Sequence, residues 1–392
     1  MYLHFGVKSV ADILRGKRPL IAARPETTDH ARHLDAGADW LMASIAACGG
    51  EASSKGYRVG RGWMPPYPET TGYIIPTLLN LGEMRDDPAF AATARRMGAW
   101  LTGVQRPDGG FSGYELGLQE APDVFDTGMI LLGFNALVQA GDAASEIAPA
   151  AARAAEFLAG ALDDRGAFAR HVSHDMLHAY NVRSAWAMVA HGRLADNAAA
   201  TAAGLANVDW TLGRQRDNGF FDDNAFKPGG NANTHGIAYV LRGLLQVHAL
   251  TGRPDILAAV RRGIDPVVAL LDRHGWLAAE IGPDWGFRSS HICLTGCAQL
   301  AIVLIRLAGL TGETRLIDPA ERLIATVAAA QDIRARGTRQ FGAIAGSYPI
   351  YGRYAPLQYP NWATKFFVDA LILRGQWQAG ERGFRDRDLV AG

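Results

Sequence analysis

Asn233-Thr234-His235-Gly236-Ile237-Ala238-Tyr239-Val240-Leu241-Arg242-Gly243-Leu244-Leu245 is the stretch that decides the fold. It opens on polar and small residues and then stays apolar over most of its circumference, the pattern of a helix buried on nearly every side. Five other stretches begin in the same way: Glu69-Thr70-Thr71-Gly72, Asp126-Thr127-Gly128, Tyr180-Asn181-Val182-Arg183-Ser184, Leu294-Thr295-Gly296 and Tyr359-Pro360-Asn361-Trp362-Ala363. Gly72, Gly128, Ser184, Gly236 and Gly296 follow one another at intervals of 56, 56, 52 and 60 residues. A sustained period of this length marks a repeat whose single unit cannot bury its own apolar face.

Between these segments lie helices with one apolar and one charged stripe, such as Ala148-Pro149-Ala150-Ala151-Ala152-Arg153-Ala154-Ala155-Glu156-Phe157-Leu158. The alternation predicts an all-α fold, an (α/α)6 toroid of six helical hairpins. Inner helices are expected near 70–83, 124–140, 179–193, 233–250, 290–310 and 361–378. Outer helices are expected near 29–48, 88–104, 145–162, 197–214, 254–271 and 317–333. Residues 1–28 have no partner repeat and read as an N-terminal arm, 29–380 as a single toroid domain and 381–392 as a tail.

Composition narrows the function classes. Lys and Arg number 39 and Asp and Glu 39, so there is no electrostatic footprint for nucleic acid or an anionic membrane. No uninterrupted apolar run reaches about 18 residues, which argues against a membrane span. The first residues lack a charged region followed by an apolar one, and only three cysteines occur, so the expected compartment is the cytoplasm.

The outer-to-inner connections carry a second echo: Gln105-Arg106-Pro107-Asp108-Gly109-Gly110-Phe111, Asp163-Asp164-Arg165-Gly166-Ala167-Phe168, Gln215-Arg216-Asp217-Asn218-Gly219-Phe220 and Asp272-Arg273-His274-Gly275-Trp276. Asp or Asn before Gly makes a turn with positive φ, and the aromatic after it staples the loop to its neighbours. Turn chemistry accounts for these acids, so they read as structural.

This "Q…DG-F" repeat resembles that of the terpenoid cyclase and protein prenyltransferase toroids. The acid motif DxDD of the class II cyclases is absent, since Phe220 stands where Asp222-Asp223 would need its upstream Asp. His291, Cys293 and Cys297 have a spacing that can hold zinc, but the two thiols fall in an apolar helix where buried cysteines are common. Other motifs are similar to the catalytic toroid of glucuronyl 5-epimerases. Trp63-Met64-Pro65-Pro66-Tyr67-Pro68-Glu69 resembles the Tyr-Pro segment leading into an inner helix. Tyr180-Asn181-Val182-Arg183 resembles a Tyr-Asp-(Leu/Val)-Arg motif, with Asn181 in place of the Asp, and Asn233-Thr234-His235 resembles a Tyr-His-x-x-His helix. The resemblance implies a glycan-processing enzyme, with an exopolysaccharide or capsule pathway as its setting.

A uronate-processing site needs a cation or amide donors on the carboxylate, and an acid and a base placed across the ring. Arg183 is the leading clamp because guanidinium pairs bidentately with carboxylate; Arg288 and Arg353 are loop-borne alternatives. Tyr180 and His235 are the proton-transfer candidates. For hydrolysis two carboxyl groups must flank the bond, and Glu69 and Asp126 form the pair. Their helix N-termini favour the ionised form, and Asp126 reads equally as an N-cap. Glu280 and Asp284 are further acids. Trp63, Tyr67, Trp285, Tyr348, Tyr351, Tyr354, Tyr359 and Trp362 are expected to form an aromatic rim, with Asn181, Asn233 and Asn361 as polar contacts. The Tyr- and Pro-rich segment 346–362 reads as a wall of the cleft. Lys365 either faces the cavity or pairs with Asp369 one turn on.

The expectation is therefore an enzyme that processes an acidic, uronate-containing polysaccharide or oligosaccharide by epimerisation, elimination or hydrolysis, with no cofactor and no metal. The alternatives are an isoprenoid-binding toroid of the cyclase or prenyltransferase kind, and a non-catalytic glycan-binding scaffold.

Overall fold

The computed structural model describes residues 28–118, 121–141, 146–333 and 336–382. The expected N-terminal arm, apart from residue 28, and the expected tail beyond residue 382 lie outside the described residues. Among the described residues, twelve α-helices alternate between two layers. The outer layer is α1 His30–Ala46, α3 Pro88–Val104, α5 Ile147–Gly160, α7 Ala198–Leu212, α9 Pro254–His274 and α11 Ile317–Ala330. The inner layer is α2 Pro68–Arg85, α4 Val124–Gln139, α6 Val182–Leu194, α8 Thr234–Thr251, α10 Leu294–Thr311 and α12 Asn361–Gln378. Each inner helix packs on the next, and α12 closes the ring against α2. The chain is thus an all-α toroid, and its inner helices all start at the same end.

The small residues at the inner-helix starts allow this close approach. A Cβ on Gly72 would fall 2.5 Å from Ile130 Cα, one on Gly128 2.7 Å from Ser184 Cα, and one on Gly296 2.8 Å from the His235 nitrogen. These residues therefore serve packing between ring neighbours. The helix α10 is long and apolar enough to cross a membrane, but 83% of it is buried as a core helix of the ring.

The repeated turns hold the outer layer together. Gln105 Nε2 donates to the carbonyls of Gly109 and Ala150, both at 2.9 Å, while its Oε1 accepts from Arg153. Gln215 does the same with Gly219, Ala259 and Arg262. Gly219 has φ +86°, and a Cβ there would meet the Arg262 carbonyl oxygen at 2.0 Å, so the turn both needs and hides its glycine. Asp108 accepts from the Gly110 N–H at 3.0 Å, and Asp163 from Arg165 and Ala167 at 3.0 and 2.9 Å. Asp108 and Asp163 are thus spent on the backbone of their own turns, while Asp272 pairs with Arg322 of α11.

Short strands link the loops that lead into the inner helices. Strand β1 Gly56–Arg58 pairs with β2 Gly62–Trp63 and, closing the ring, with β7 Gln358–Pro360, in antiparallel register Tyr57 to Tyr359. Strand β3 Ala232–Asn233 pairs with β4 Glu280–Ile281, and β5 Ile292–Cys293 with β6 Ser347–Tyr348. Backbone hydrogen bonding thus fixes the rim around the inner-helix N-termini, and with it the walls of any cavity there.

Candidate active site

A cavity of about 240 Å³ opens among the starts of α2, α4, α6, α8 and α12. Two of its walls come from adjacent helices. Tyr67 precedes α2, with Pro68 in the first turn and Glu69 following. Asp123 is the N-cap of α4 and accepts from the N–H groups of Phe125 and Asp126 at 2.7 and 3.1 Å. The capping role considered for Asp126 therefore belongs to Asp123. Released from it, Asp126 turns into the cavity, accepting from the Tyr67 hydroxyl at 3.0 Å and from the Tyr114 N–H at 3.2 Å.

Three carboxyl groups in one poorly hydrated corner cannot all ionise cheaply. Burial pushes Glu69 up to about 8, against the lowering pull of the Tyr67 hydrogen bond and Lys55. Asp126 is raised well above the usual carboxylate range by burial and by the charges of Asp123 and Glu69. Burial brings Asp123 to about 6, even with its two backbone donors. The expectation that helix N-termini would keep Glu69 and Asp126 ionised is thus corrected. A helix terminus contributes roughly 0.3–1 kcal/mol, less than the desolvation of a fully buried carboxylate.

His235 is placed by Asn233, which caps α8 by accepting the His235 N–H at 2.9 Å. Its ring lies 4.1 Å from that of Tyr239 and 5.4 Å from that of Tyr354, centroid to centroid. Burial and the charge of Arg183 hold its pKa well below the usual imidazole value, so the ring is neutral. Tyr180 forms a third wall, edge-on to Phe125 at 5.5 Å and Phe226 at 5.4 Å, and burial keeps its phenol protonated. Trp362 lines the cavity and donates from Nε1 to the Tyr354 hydroxyl at 2.8 Å.

Of the residues singled out from sequence, Glu69, Tyr67, Asp126, Tyr180, His235, Trp362 and Tyr354 therefore meet at one cavity. The remainder lie elsewhere. Arg183 is fully buried beneath the floor, donating to Gln299 Oε1 at 3.0 Å with its guanidinium 4.6 Å from the Tyr239 ring centroid. It is walled off from a ligand by the residues it supports, so it is not the carboxylate clamp. Asn181 is buried at the start of α6, and Asn233 is engaged as a cap. Asn361 is a structural hub, accepting from Trp40 Nε1 at 3.0 Å and donating to Ser53 Oγ at 2.8 Å and to Ser44 Oγ. Trp63 packs against Trp40 at 4.6 Å, and Tyr359 is buried in β7. Tyr348 lies in β6, while Arg353 and Tyr351 are exposed on the same segment.

Trp285 faces a separate surface groove with Arg273, His274 and Phe287, its Nε1 donating to the Asn218 carbonyl at 3.0 Å. Arg288 is paired on the surface with Asp284 at 2.7 Å, and Glu280 sits in β4. Lys365 pairs with Asp369 at 2.6 Å in the ring interior, not in the cavity. Burial raises the Cys293 thiol to about 12 and the Cys297 thiol further still.

Several lining residues escaped the sequence reading: Lys55, Tyr114, Asp123, Phe125, Ser173, Phe226 and Tyr239. Two had a readable signal. Tyr239 is one helical turn beyond His235, and Asp123 is the Asp three residues ahead of Asp126 at a helix start. Lys55 had none. Its backbone carbonyl accepts from the Asn361 N–H at 3.0 Å, and its Nζ pairs with Glu115 at 2.9 Å, close to the rings of Tyr67 and Tyr114. Among the described residues lining the cavity it is the cationic side chain.

No protein-family model matches the chain, and no curated protein sequence matches it either. Solved structures do. An unsaturated glucuronyl hydrolase specific for heparin superposes with a TM-score of 0.70 at 16% identity, covering 89% of this chain and 98% of the other. An unsaturated glucuronyl hydrolase from Bacillus sp. GL1, responsible for the degradation of glycosaminoglycan, gives 0.70 at 14% identity over 90% and 98%. A D-mannose isomerase gives 0.68 at 11% identity over 89% and 98%. At these identities the likeness establishes the fold, a toroid shared with carbohydrate-active enzymes.

Proposed function

We propose that the chain is a carbohydrate-active enzyme that takes the end of an acidic, uronate-bearing saccharide into this cavity and cleaves it by acid-initiated hydrolysis. The observation that carries this reading is the buried pair Glu69 and Asp126, bridged through Tyr67, beside one cation and under a ring of aromatics. Aromatic faces stack on sugar rings, and Lys55 offers a charge for a uronate carboxylate. At about 240 Å³ the cavity suits one terminal ring better than an internal stretch of polymer.

Burial raises both carboxyls, and the charge of Glu69 further disfavours ionisation of Asp126, so the pair holds a proton-donating acid at neutral pH. Its protonated member gives the proton to the glycosidic oxygen as the bond from that oxygen to the sugar carbon breaks. The ionised member takes a proton from the water that attacks the same carbon. Base-initiated epimerisation or elimination is less well served. Tyr180, Tyr239 and Tyr354 are held as neutral phenols and His235 as a neutral ring, so the cavity is dominated by proton donors.

The relatives in fold support the substrate class. One glucuronyl hydrolase structure of this fold is a complex with dGlcA-Glc-Rha-Glc. An isoprenoid ligand would ask for a continuous apolar tunnel, whereas this cavity bears Lys55, Glu69, Asp123, Asp126 and His235. The test is incubation with uronate-containing and neutral oligosaccharides in heavy water, read by mass spectrometry and ultraviolet absorbance. Chain shortening that Glu69→Gln and Asp126→Asn both abolish supports the reading. Deuterium uptake without shortening would replace it with epimerisation, and new absorbance with elimination. Binding without turnover would make the chain a scaffold.

A further inference from the structure

The floor of the cavity carries a three-residue relay whose donors and acceptors can be assigned in only one way. Arg183 is buried, and a guanidinium has N–H donors and no acceptor. Its Nη1 lies 3.0 Å from Gln299 Oε1, which fixes the Gln299 amide: the flipped amide would set NH₂ against guanidinium, donor against donor. Gln299 Nε2 then points at His235 Nδ1, at 2.6 Å. An amide NH₂ only donates, so Nδ1 must accept, and the proton of the neutral ring resides on Nε2. The imidazolium, with a proton on Nδ1 as well, is excluded by the same contact.

We infer that Gln299 is a positioning residue which, oriented by Arg183, locks His235 as the neutral Nε2–H tautomer and so makes it a hydrogen-bond donor to a substrate oxygen and not a proton acceptor. Nδ1 is occupied by Gln299, and Nε2 is the ring nitrogen left to the cavity that His235 lines. With its only lone pair engaged below the floor, the ring has no site for a substrate proton. Its N–H suits a ligand oxygen that is, or becomes, negatively charged. Only the nature of that oxygen, in a carboxylate or hydroxyl of a saccharide, rests on the function proposed above.

The test is the protonation state of the ring, which requires no substrate. The full chain is labelled with ¹⁵N-histidine, and long-range proton–nitrogen correlation spectra are recorded with His235 assigned by its disappearance in His235→Asn. The expected wild-type spectrum shows a protonated Nε2 and an unprotonated Nδ1, unchanged between about pH 5 and 8, where free histidine titrates. In Gln299→Glu the amide donor becomes an acceptor, so Nδ1 is expected to gain a proton. A wild-type ring protonated on Nδ1, a ring titrating in that range, or a folded Gln299→Glu with an unchanged His235 pattern overturns the inference. If Gln299→Glu does not fold, the wild-type spectrum still decides. Saccharide turnover is measured separately on the same samples, so a chain that turns over no uronate can keep its tautomer lock, and the reverse.

Discussion

The hydroxyl of Tyr67 donates to the carboxylate of Asp126 at 3.0 Å, joining the starts of two successive ring helices across 59 residues of sequence. The bond stabilises the charged form of the carboxyl pair and opposes the burial that raises it. Tyr67→Phe should therefore raise both pKa values further and move the whole pH–activity profile toward higher pH, at a stability cost of about 0.5–1.5 kcal/mol. A profile that narrows or moves to lower pH would show that Tyr67 does not couple to the pair.

Glu69 also gives stability a pH dependence of known sign. Its folded pKa, about 8, lies above the ordinary 4.5, so the unfolded chain releases this proton first as pH rises. The contribution is fully present below about pH 4.5 and is lost progressively as pH rises through about 8. Glu69→Gln should thus raise the melting temperature more at pH 8 than at pH 5, measured by calorimetry at both. An equal change at the two values would place the carboxyl in water.

Lys55 is expected to set the preference for acidic saccharides. Replacing it with Met should raise KM for a uronate substrate by roughly tenfold to a hundredfold, the range of a charged hydrogen bond, and leave a neutral analogue nearly unchanged. The comparison of the two KM values is the measurement. Equal losses on both would assign Lys55 to the support of Glu115 and the Tyr67 and Tyr114 rings.

Arg183→Met should act on the fold and the relay. With no contact to the cavity, it should lower kcat alike on acidic and neutral substrates and destabilise the chain by on the order of 2–4 kcal/mol, through loss of a buried charged hydrogen bond and its aromatic contacts. Parallel kinetics and thermal melts decide. A loss confined to uronates would restore Arg183 to the ligand.

Three tryptophans separate cavity from scaffold. Trp362→Ala should weaken oligosaccharide binding by about 1 kcal/mol or more by titration calorimetry. Trp63→Ala should lower the melting temperature, since that ring packs on Trp40 and Tyr57, and leave affinity in the folded fraction unchanged. Trp285→Ala, in the surface groove, should leave turnover at the cavity intact.

Much of the ring was legible because its signals are local. The helix starts, the Asp-Gly turns and the apolar inner segments each rest on a few consecutive residues, and the period adds them coherently. The meeting of Glu69, Asp126, Tyr180 and His235 followed from the repeat, because equivalent positions of successive hairpins fall at one end of the ring. The glycines at the same starts mark the repeat period in sequence, and the structure gives the reason: they allow close contact between neighbouring helices.

By itself, then, the sequence determined the toroid and the end of it at which chemistry could assemble. Only the tertiary structure decided which side chains face that space. Successive helical residues point about 100° apart, so Asp126 reaches the cavity while Arg183, also at a helix start, points beneath its floor to Gln299 and the Tyr239 ring. Ring closure decided the rest: Lys55 comes to the cavity because its carbonyl is held by Asn361, 306 residues away, a pairing that no local pattern encodes. The pKa values of Glu69 and Asp126 were likewise beyond sequence, because desolvation depends on what the whole ring packs around a carboxyl group, not on its neighbours in the chain.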